Sequence, residues 1–237
     1  MNVETLNSIR EAEKASHIEI YSAAKLFEKG SWLQKPVKTV MDLLPLFSKY
    51  KVLNVLDLGC GVGRNCIPIA EQFKSISCQI DCVDILEFAI EMLRKYSIEF
   101  GVSDVINGTV SSIEDYQIKH DTYDLIFAVS ALEHVASADL LKKKLLEIAD
   151  GLKANGIVCL IINSEVAEIN KDSGAKLIPQ FEVNLNTNDL TEILERVFSD
   201  YKVLKNTIVE QHYDIPRIEC VSSLSTNVVT YVVQKIK

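Results

Sequence analysis

A glycine-rich segment with an acidic residue at its start has the residue types that a ligand-binding loop needs. It reads Asp57-Leu58-Gly59-Cys60-Gly61-Val62-Gly63-Arg64, with glycines at alternate positions. Glycine lets the backbone come close to a bound molecule because it carries no side chain. The segment follows an apolar run, and ligands of parallel α/β sheets bind beyond the carboxyl ends of the strands. These residues are therefore predicted to form a ligand-binding loop.

Two kinds of ligand compete for this loop. The dinucleotide fingerprint G-x-G-x-x-G needs its third glycine at position 64, where this sequence has Arg64. A diphosphate also prefers bare amides at the positive end of a helix, and the carboxylate of Asp57 would oppose it. A ligand with an ammonium and a sulfonium group but no phosphate suits an acid-edged loop better. S-adenosylmethionine (SAM) is such a ligand.

A second acid lies where a ribose could bind. Asp84 closes the next apolar run, Cys78 to Ile85. A carboxylate at the end of that strand can accept hydrogen bonds from vicinal ribose hydroxyls. Both NAD and SAM contain such a ribose, so Asp84 does not distinguish the two ligands. The preference for SAM therefore rests on the spacing of the glycines.

Alternating patterns predict the elements that position these residues. Apolar runs at 52–58, 78–85, 105–110, 123–129 and 157–162 predict strands, and amphipathic segments at 63–73, 86–100 and 140–152 predict helices. This rhythm implies right-handed crossovers and a parallel sheet with helices on both faces.

The two ends of the chain follow other patterns. Residues 1–50 predict a helical extension, and residues 165–186 an irregular loop. A helix is expected from Thr187 to about Ser199, and strands at 201–211 and 226–235 are expected to pair as an antiparallel hairpin. We expect one domain, residues 51–237, with residues 1–50 added to it.

The composition of the chain limits the classes of partner that the protein is expected to bind. The 237 residues include 25 Lys and Arg against 33 Asp and Glu, a formal net charge of −8, which disfavours a nucleic-acid partner. No apolar run reaches the length of about 18 residues that a membrane span needs, and the N-terminus has no hydrophobic signal core. The six cysteines form no metal-ligand spacing, so we expect no metal and reduced core thiols in a cytoplasmic protein.

Four motifs, in this order, resemble the class I SAM-dependent methyltransferases. They are VLDLGCGVGR at 55–64, the acid in CVDI at 82–85, YDLI at 123–126 and LKANG at 152–156. The resemblance covers roughly residues 50–163. It implies an α/β fold of three layers, with a Rossmann-like, seven-stranded, mostly parallel sheet whose last strand is antiparallel, and it implies SAM as the cofactor.

The resemblance also implies roles for the loop residues. Gly59 and Gly61, with Cys60 between them, would lie against the methionine part of SAM. Asp57 would hold the ammonium group through the loop or through water.

Further roles follow for the residues after the second and third strands. Asp84 would bind the ribose and Ile85 would pack on the adenine. The family usually has an acidic or polar residue facing the adenine amine. Here that stretch is Ser111, Ser112 and Ile113, so a serine replaces the common acid.

The acceptor side is expected after the fourth strand. Val129 would flank the cofactor, and Ser130 would face the substrate. His134 follows in the same segment and is a candidate base or substrate binder, although a packing role is as consistent with its position. Tyr21, in the N-terminal extension, would contact the substrate if that extension is a lid rather than a static cap.

A closer resemblance is to the tellurite-resistance branch of the family. It rests on Gly63-Arg64-Asn65 and on the tail around Glu210-Gln211-His212. In that branch a His-Arg pair in the tail is associated with the active site. His212 matches the histidine as a second catalytic candidate, but Tyr213 stands in place of the arginine. Arg217 is the nearest substitute for binding the substrate.

The expected function is methyl transfer from SAM to a small-molecule acceptor. A general base is needed only when the nucleophile must lose a proton. A thiolate or a chalcogen oxyanion needs none, whereas an amine or a hydroxyl does, and all four stay open. An NAD-dependent oxidoreductase and a non-catalytic SAM-binding protein are the alternatives.

Overall fold

The computed structural model describes residues 3–217 and 220–236, which form six α-helices and eight β-strands. The helices are α1 (Val3–Ala23), α2 (Lys38–Met41), α3 (Cys66–Phe73), α4 (Glu87–Glu99), α5 (Ala138–Gly151) and α6 (Thr187–Val197), with 3-10 turns at Leu44–Phe47 and Leu132–His134. The strands are β1 (Val52–Leu58), β2 (Ser77–Asp84), β3 (Ile106–Val110), β4 (Tyr123–Val129), β5 (Leu152–Asn170), β6 (Lys176–Leu177), β7 (Tyr201–Pro216) and β8 (Val221–Lys235).

The strands form one mixed sheet in the order β3-β2-β1-β4-β5-β8-β7, and the short β6 pairs with β5. Strands β1 to β5 run parallel, whereas the last strand, β8, runs antiparallel to both of its neighbours. This arrangement confirms the predicted doubly wound fold and the late hairpin. Asp57 pairs with Cys82 on one side and with Phe127 on the other, so the ends of β1, β2 and β4 meet at the same edge of the sheet.

Helices cover both faces of the sheet. On one face Leu53 and Val55 belong to a buried cluster with Ile67 of α3. On the other face Leu56 packs in a second cluster with Leu145 of α5. Because both faces of β1 are buried, the strand reads as a nearly continuous apolar run, as is typical of parallel sheets.

The N-terminal segment packs against the first of these faces. Leu26, Leu33, Val40, Leu44 and Phe47 are buried in the same cluster as Val55 and Ile67. The predicted helical extension is confirmed by α1, α2 and the 3-10 turn at Leu44–Phe47, whereas the division of the chain at residue 50 stays a prediction. No helix in the described ranges is long and apolar enough to cross a membrane.

Three details differ from the predicted elements. β5 continues to Asn170, so residues 165–170 are strand rather than loop, because Ala167 to Asn170 pair with β8. The sequence Thr-Asn-Asp-Leu from Thr187 is typical of an N-cap, but the N-cap of α6 is Asn186, whose side chain accepts a hydrogen bond from the amide of Asn188. Cys220 is only partly buried, unlike the other five free cysteines.

The burial of β5 predicts how the stability of the protein responds when one side chain of this strand is shortened. Leu160 is fully buried, so Leu160→Ala should lower the free energy of unfolding by about 2–5 kcal/mol. Leu146, which is 58% exposed on α5, is the matched control, and Leu146→Ala should stay within about 0.5 kcal/mol of the parent protein. Urea denaturation followed by circular dichroism measures both, and equal losses would contradict this core assignment.

Candidate functional site

The glycine-rich loop connects β1 to α3 in a conformation that only glycine adopts easily. Gly59, Gly61 and Gly63 have φ angles of +77°, +53° and +100°, in the region that disfavours residues with a Cβ. The amides of Gly59 and Cys60 donate to the carbonyl of Val83, at 2.8 and 3.0 Å. A Cβ on Gly59 would collide with the Cβ of Ala131. The loop is thus held against β2 and against the segment after β4.

Asp84 fixes the far side of this loop. Its Oδ2 accepts from the amide of Gly61 at 2.8 Å, and its Oδ1 accepts from the amide of Leu86 at 2.9 Å. Burial raises the pKa of Asp84, and these two amides oppose that rise. A carboxylate oxygen can accept more than one hydrogen bond, so both oxygens retain the capacity to bind ribose hydroxyls.

Asp57 lies beneath the loop rather than on the cavity surface. It is 1% exposed, and its Oδ2 has no hydrogen-bond partner in the described part of the chain. Burial, and secondarily the negative charge of Asp84, raise the pKa of Asp57 well above its usual range. A cation bound above the loop would favour ionisation of this carboxyl group. This unsatisfied oxygen fits a ligand with a positive charge.

A cavity opens above the loop, at the carboxyl ends of β1, β2 and β4. Most of the residues predicted from the sequence line it. On the cofactor side they are Gly59, Cys60, Gly61, Asp84, Ile85, Ser112 and Ile113, and towards the expected acceptor side they are Tyr21, Val129, Ser130 and His134. Ser111 lies beside the cavity, where its amide donates to the carbonyl of Asp84 at 2.9 Å. The structure therefore brings together residues from distant parts of the chain.

His212 and Arg217 are placed elsewhere. His212 is exposed on the edge strand β7, with its Nε2 3.2 Å from Oε1 of Glu210. The guanidinium of Arg217 forms two hydrogen bonds to Glu168, both of 2.8 Å, and another to Gln180. The expectation that these two residues reach the substrate is not met in this structure, because β7 and β8 form a long hairpin to which both belong.

Helix α1 supplies cavity residues that the sequence patterns did not indicate. Arg10 pairs with Glu114 and lies 3.3 Å from Glu182, and Glu13 Oε1 lies 3.0 Å from His134 Nε2. These α1 side chains recur with Tyr21 at helical spacing and all face the cavity. This helical spacing was the only signal in the sequence that these charged residues share one face. It was missed because the residues are charged, whereas helix periodicity is usually sought among apolar residues.

His17 is a further cavity residue on α1. Its ring lies 5.5 Å from that of Tyr21, and its Nε2 is 3.5 Å from Oε1 of Glu13. Its Nδ1 is buried and has no partner among the groups that the structure describes. This nitrogen is therefore free to accept a hydrogen bond from a ligand. No motif in the sequence had indicated a functional role for His17.

His134 is held between two carboxylates. Its Nδ1 lies 2.9 Å from Oε2 of Glu182, its Nε2 lies 3.0 Å from Oε1 of Glu13, and its ring stacks on Phe181 with 5.2 Å between centroids. Burial acts to lower the pKa of His134, but the hydrogen bonds to Glu13 and Glu182 raise it to about 10. His134 is therefore an imidazolium that joins α1 to the segments after β4 and before α6, and it has no free nitrogen with which to act as a base.

Among the residues that the structure describes, two clusters bring three potential metal ligands close together. One is Glu13, His134 and Glu182, and the other is Asp57, Cys66 and Cys82. The first is already satisfied as an ion-paired group, and the second lies in the core. The expectation of a metal-free site stays a prediction.

Comparisons with known proteins agree with this geometry. A family model described as a methyltransferase domain matches residues 55–156. The chain is 25% identical over 185 residues to malonyl-(acyl-carrier protein) O-methyltransferase 2 of Ilyobacter polytropus, covering 76% of this chain and 66% of that protein. It is 27% identical over 177 residues to the ubiquinone biosynthesis O-methyltransferase of Rickettsia canadensis, covering 70% and 69%. The chain thus spans about two thirds of the length of these curated relatives.

Solved structures share the fold. TehB from Haemophilus influenzae superposes with a TM-score of 0.59 at 17% identity, over 82% of this chain and 62% of that chain. The YcgJ protein from Bacillus subtilis superposes with a TM-score of 0.59 at 14% identity, over 84% and 98%. Residues 55–156 therefore match a methyltransferase domain, which agrees with the resemblance of the motifs in this segment to class I SAM-dependent methyltransferases. SAM is the cofactor that this family implies, which favours it over the NAD-dependent alternative.

The charge state of His134 gives a pH prediction. A group whose pKa rises on folding stabilises the protein fully below its ordinary value of 6.5, and this stabilisation is lost as the pH rises through about 10. NMR of labelled histidine should therefore show the His134 ring protonated at pH 8. Glu13→Gln should lower its pKa, because one carboxylate partner is removed. A ring that is already neutral at pH 8 in the parent protein would contradict the ion pair.

Proposed function

We propose that this protein transfers a methyl group from SAM to a small-molecule acceptor. The observation that carries the proposal is the carboxylate of Asp84, which is fixed by the amides of Gly61 and Leu86 at the mouth of a glycine-loop cavity. A fixed, partly buried carboxylate suits the vicinal hydroxyls of a ribose. The match of residues 55–156 to a methyltransferase domain supports the same ligand.

The residues around the cavity fit the other parts of SAM. Ile85, 41% exposed, offers an apolar surface for the adenine, and Ser112, whose hydroxyl donates to Asp115 at 2.6 Å, also lines the cavity. Gly59 and Gly61, against which Ala131 and Tyr21 pack, line the cavity where the methionine part would lie, and the unsatisfied oxygen of Asp57 lies beneath. When bound, SAM supplies a methyl group already activated by a sulfonium, so the protein mainly has to hold the acceptor in line with it.

The histidines limit how an acceptor could be activated. Both nitrogens of His134 are engaged by carboxylates, whereas Nδ1 of His17 is free. We assign His134 the role of holding α1 over the cavity, and His17 that of base if the acceptor must lose a proton. A thiolate or an oxyanion would need no base. Relatives are named as O-methyltransferases and, in Rauvolfia serpentina, as a norajmaline N-methyltransferase, so oxygen and nitrogen acceptors come first in a screen.

The closing role of α1 and the location in the cell belong to the same proposal. This helix lies at the cavity through Arg10, Glu13 and Tyr21. That is the position expected of a lid that excludes water from the reaction. A cytoplasmic location is supported by the six free cysteines.

Asp84 provides the test of cofactor binding. Isothermal titration should show SAM binding to the parent protein in the micromolar range. Asp84→Ala should bind about 10- to 100-fold more weakly, because hydrogen bonds to a charged group are lost. Asp104→Ala removes an exposed carboxylate away from the cavity lining; it is the matched control and should bind like the parent. Equal SAM affinity in Asp84→Ala would refute the ribose assignment.

A screen of acceptors separates an enzyme from a SAM-binding protein. Thiols, chalcogen oxyanions, amines and phenols would each be mixed with SAM, and formation of S-adenosylhomocysteine would be followed by chromatography. Turnover with one of these classes supports the proposal. Binding of SAM without turnover on any of them would favour the non-catalytic alternative.

A further inference from the structure

The two edges of the sheet differ greatly in length. β3, at one edge, has 5 residues, whereas β7, at the other edge, has 16. β7 pairs with β8 on one side, and no strand in the described ranges pairs with it on the other. An edge strand presents a row of unpaired N–H and C=O groups, which can pair with a strand of another chain. The outer edge of β7 is therefore the place on this sheet where a partner strand fits.

The side chains of β7 are open on both faces of the sheet. Residues 205–210 and 212–214 are all exposed, although successive side chains of a strand point to opposite faces. They include Ile208 and Val209, which are 48% and 52% exposed and lie opposite Val229 and Val228 of β8. Val229 is fully buried. An apolar strip thus continues from the core of the sheet to an edge that is left uncovered.

The charges of β7 are divided between its two halves. Lys202 and Lys205 belong to the first half of the strand, and Glu210 and Asp214 belong to the second half. Asp214 also lies 2.8 Å from Lys171, at an exposed position. An antiparallel second copy of β7 would bring the basic half of each strand to the acidic half of the other. Opposite charges across paired strands are favourable and like charges are not, so β7 is complementary to itself.

The symmetry of such a pair restricts its register. A two-fold axis normal to the sheet places one residue opposite itself, and facing side chains then lie on the same face. With Ile208 on the axis, Thr207 faces Val209 of the second copy, and Asn206 faces Glu210. Three successive β-branched residues then meet each other, and such cross-strand pairs stabilise a sheet. An axis at Glu210 would instead place two carboxylates against each other.

We propose that β7 pairs antiparallel with β7 of a second copy of this chain, with Ile208 on the two-fold axis. The sheets of the two copies then form one continuous sheet, and the same patch is used on both copies. None of the residues that line the cavity belongs to β7. The interface therefore leaves the cavity open, and it does not depend on which ligand the cavity binds.

Sedimentation velocity of the full chain, at concentrations between about 1 and 200 µM, tests the proposal. The parent protein should form a reversible dimer with a dissociation constant of micromolar order, because pairing of two edge strands buries less surface than a standard interface. Asn206→Glu should raise this constant by about 2- to 30-fold, since the new carboxylate faces Glu210 at two symmetric places. Adding Glu210→Lys to that variant should restore the affinity, because the facing charges are then opposite.

Two controls separate this interface from other surfaces. Thr109→Glu adds the same charge at an exposed position of the short edge strand β3 and should dimerise like the parent. Cross-linking uses a Cys220→Ser background, because the other five cysteines are buried. A short bismaleimide should join two copies of Ile208→Cys in that background, and should not join two copies of Thr109→Cys.

A parent protein that stays monomeric over the whole concentration range would overturn the proposal. A dimer with the same dissociation constant in Asn206→Glu would overturn it as well, because another surface would then hold the copies together. If Glu210→Lys fails to restore the affinity of Asn206→Glu, the register centred on Ile208 is wrong. Circular dichroism and SAM titration of each variant report separately on folding and on the cavity, so these outcomes leave the proposed function untouched.

Discussion

The side chain of Asp84 connects the two loops on which the cavity depends. One of its oxygens holds Gly61, in the loop after β1, and the other holds Leu86, at the start of α4. Parallel pairing of β1 with β2 brings these loops to the same edge of the sheet. The carbonyl of Val83 holds the same loop through the amides of Gly59 and Cys60. The proposed ribose-binding carboxylate and the glycine-rich loop therefore belong to one hydrogen-bonded unit.

A second set of interactions joins the helical N-terminus to this unit, and it is electrostatic. Arg10 reaches Glu114 and Glu182, and Glu13 reaches His134, so α1 is connected to the segments after β3, after β4 and before α6. The hydrogen bonds of Glu13 to His134 and His17 outweigh burial and lower the pKa of Glu13 to about 2. Both members of the Glu13–His134 pair are thus charged at neutral pH. Ion pairs that are only partly buried can be opened at less cost than an apolar core, which suits a helix above a ligand cavity.

The sheet was largely predictable because its signal is apolar and periodic. β1 and β4 have the predicted bounds, since strands buried on both faces leave unbroken runs of apolar residues. The far half of β5 was not predictable, because Ser164, Glu168 and Asn170 read as loop. Pairing with β8 and the bonds from Arg217 and Ser222 to Glu168 make that segment a strand. Tertiary pairing overrides local polarity there.

The cofactor side of the site was predictable for a related reason, since a glycine loop and a strand-end acid follow each other at fixed places in the chain. The α1 side was not, because the partners of Arg10 lie more than 100 residues away and no local spacing indicates them. For the same reason the sequence could not show that His134 lies between two carboxylates, or that His212 lies on an edge strand.

The contact between Gly59 and Ala131 has a consequence for how acceptor specificity can change. The space where Gly59 lacks a Cβ is filled by the side chain of Ala131, which belongs to the acceptor segment. A larger residue at position 131, introduced to reshape the proposed acceptor pocket, would press on the glycine-rich loop. Tyr21 of α1 packs against Gly61 in the same way, so new acceptor ranges are expected to evolve through the segment around Phe181 rather than through Ala131 or Tyr21.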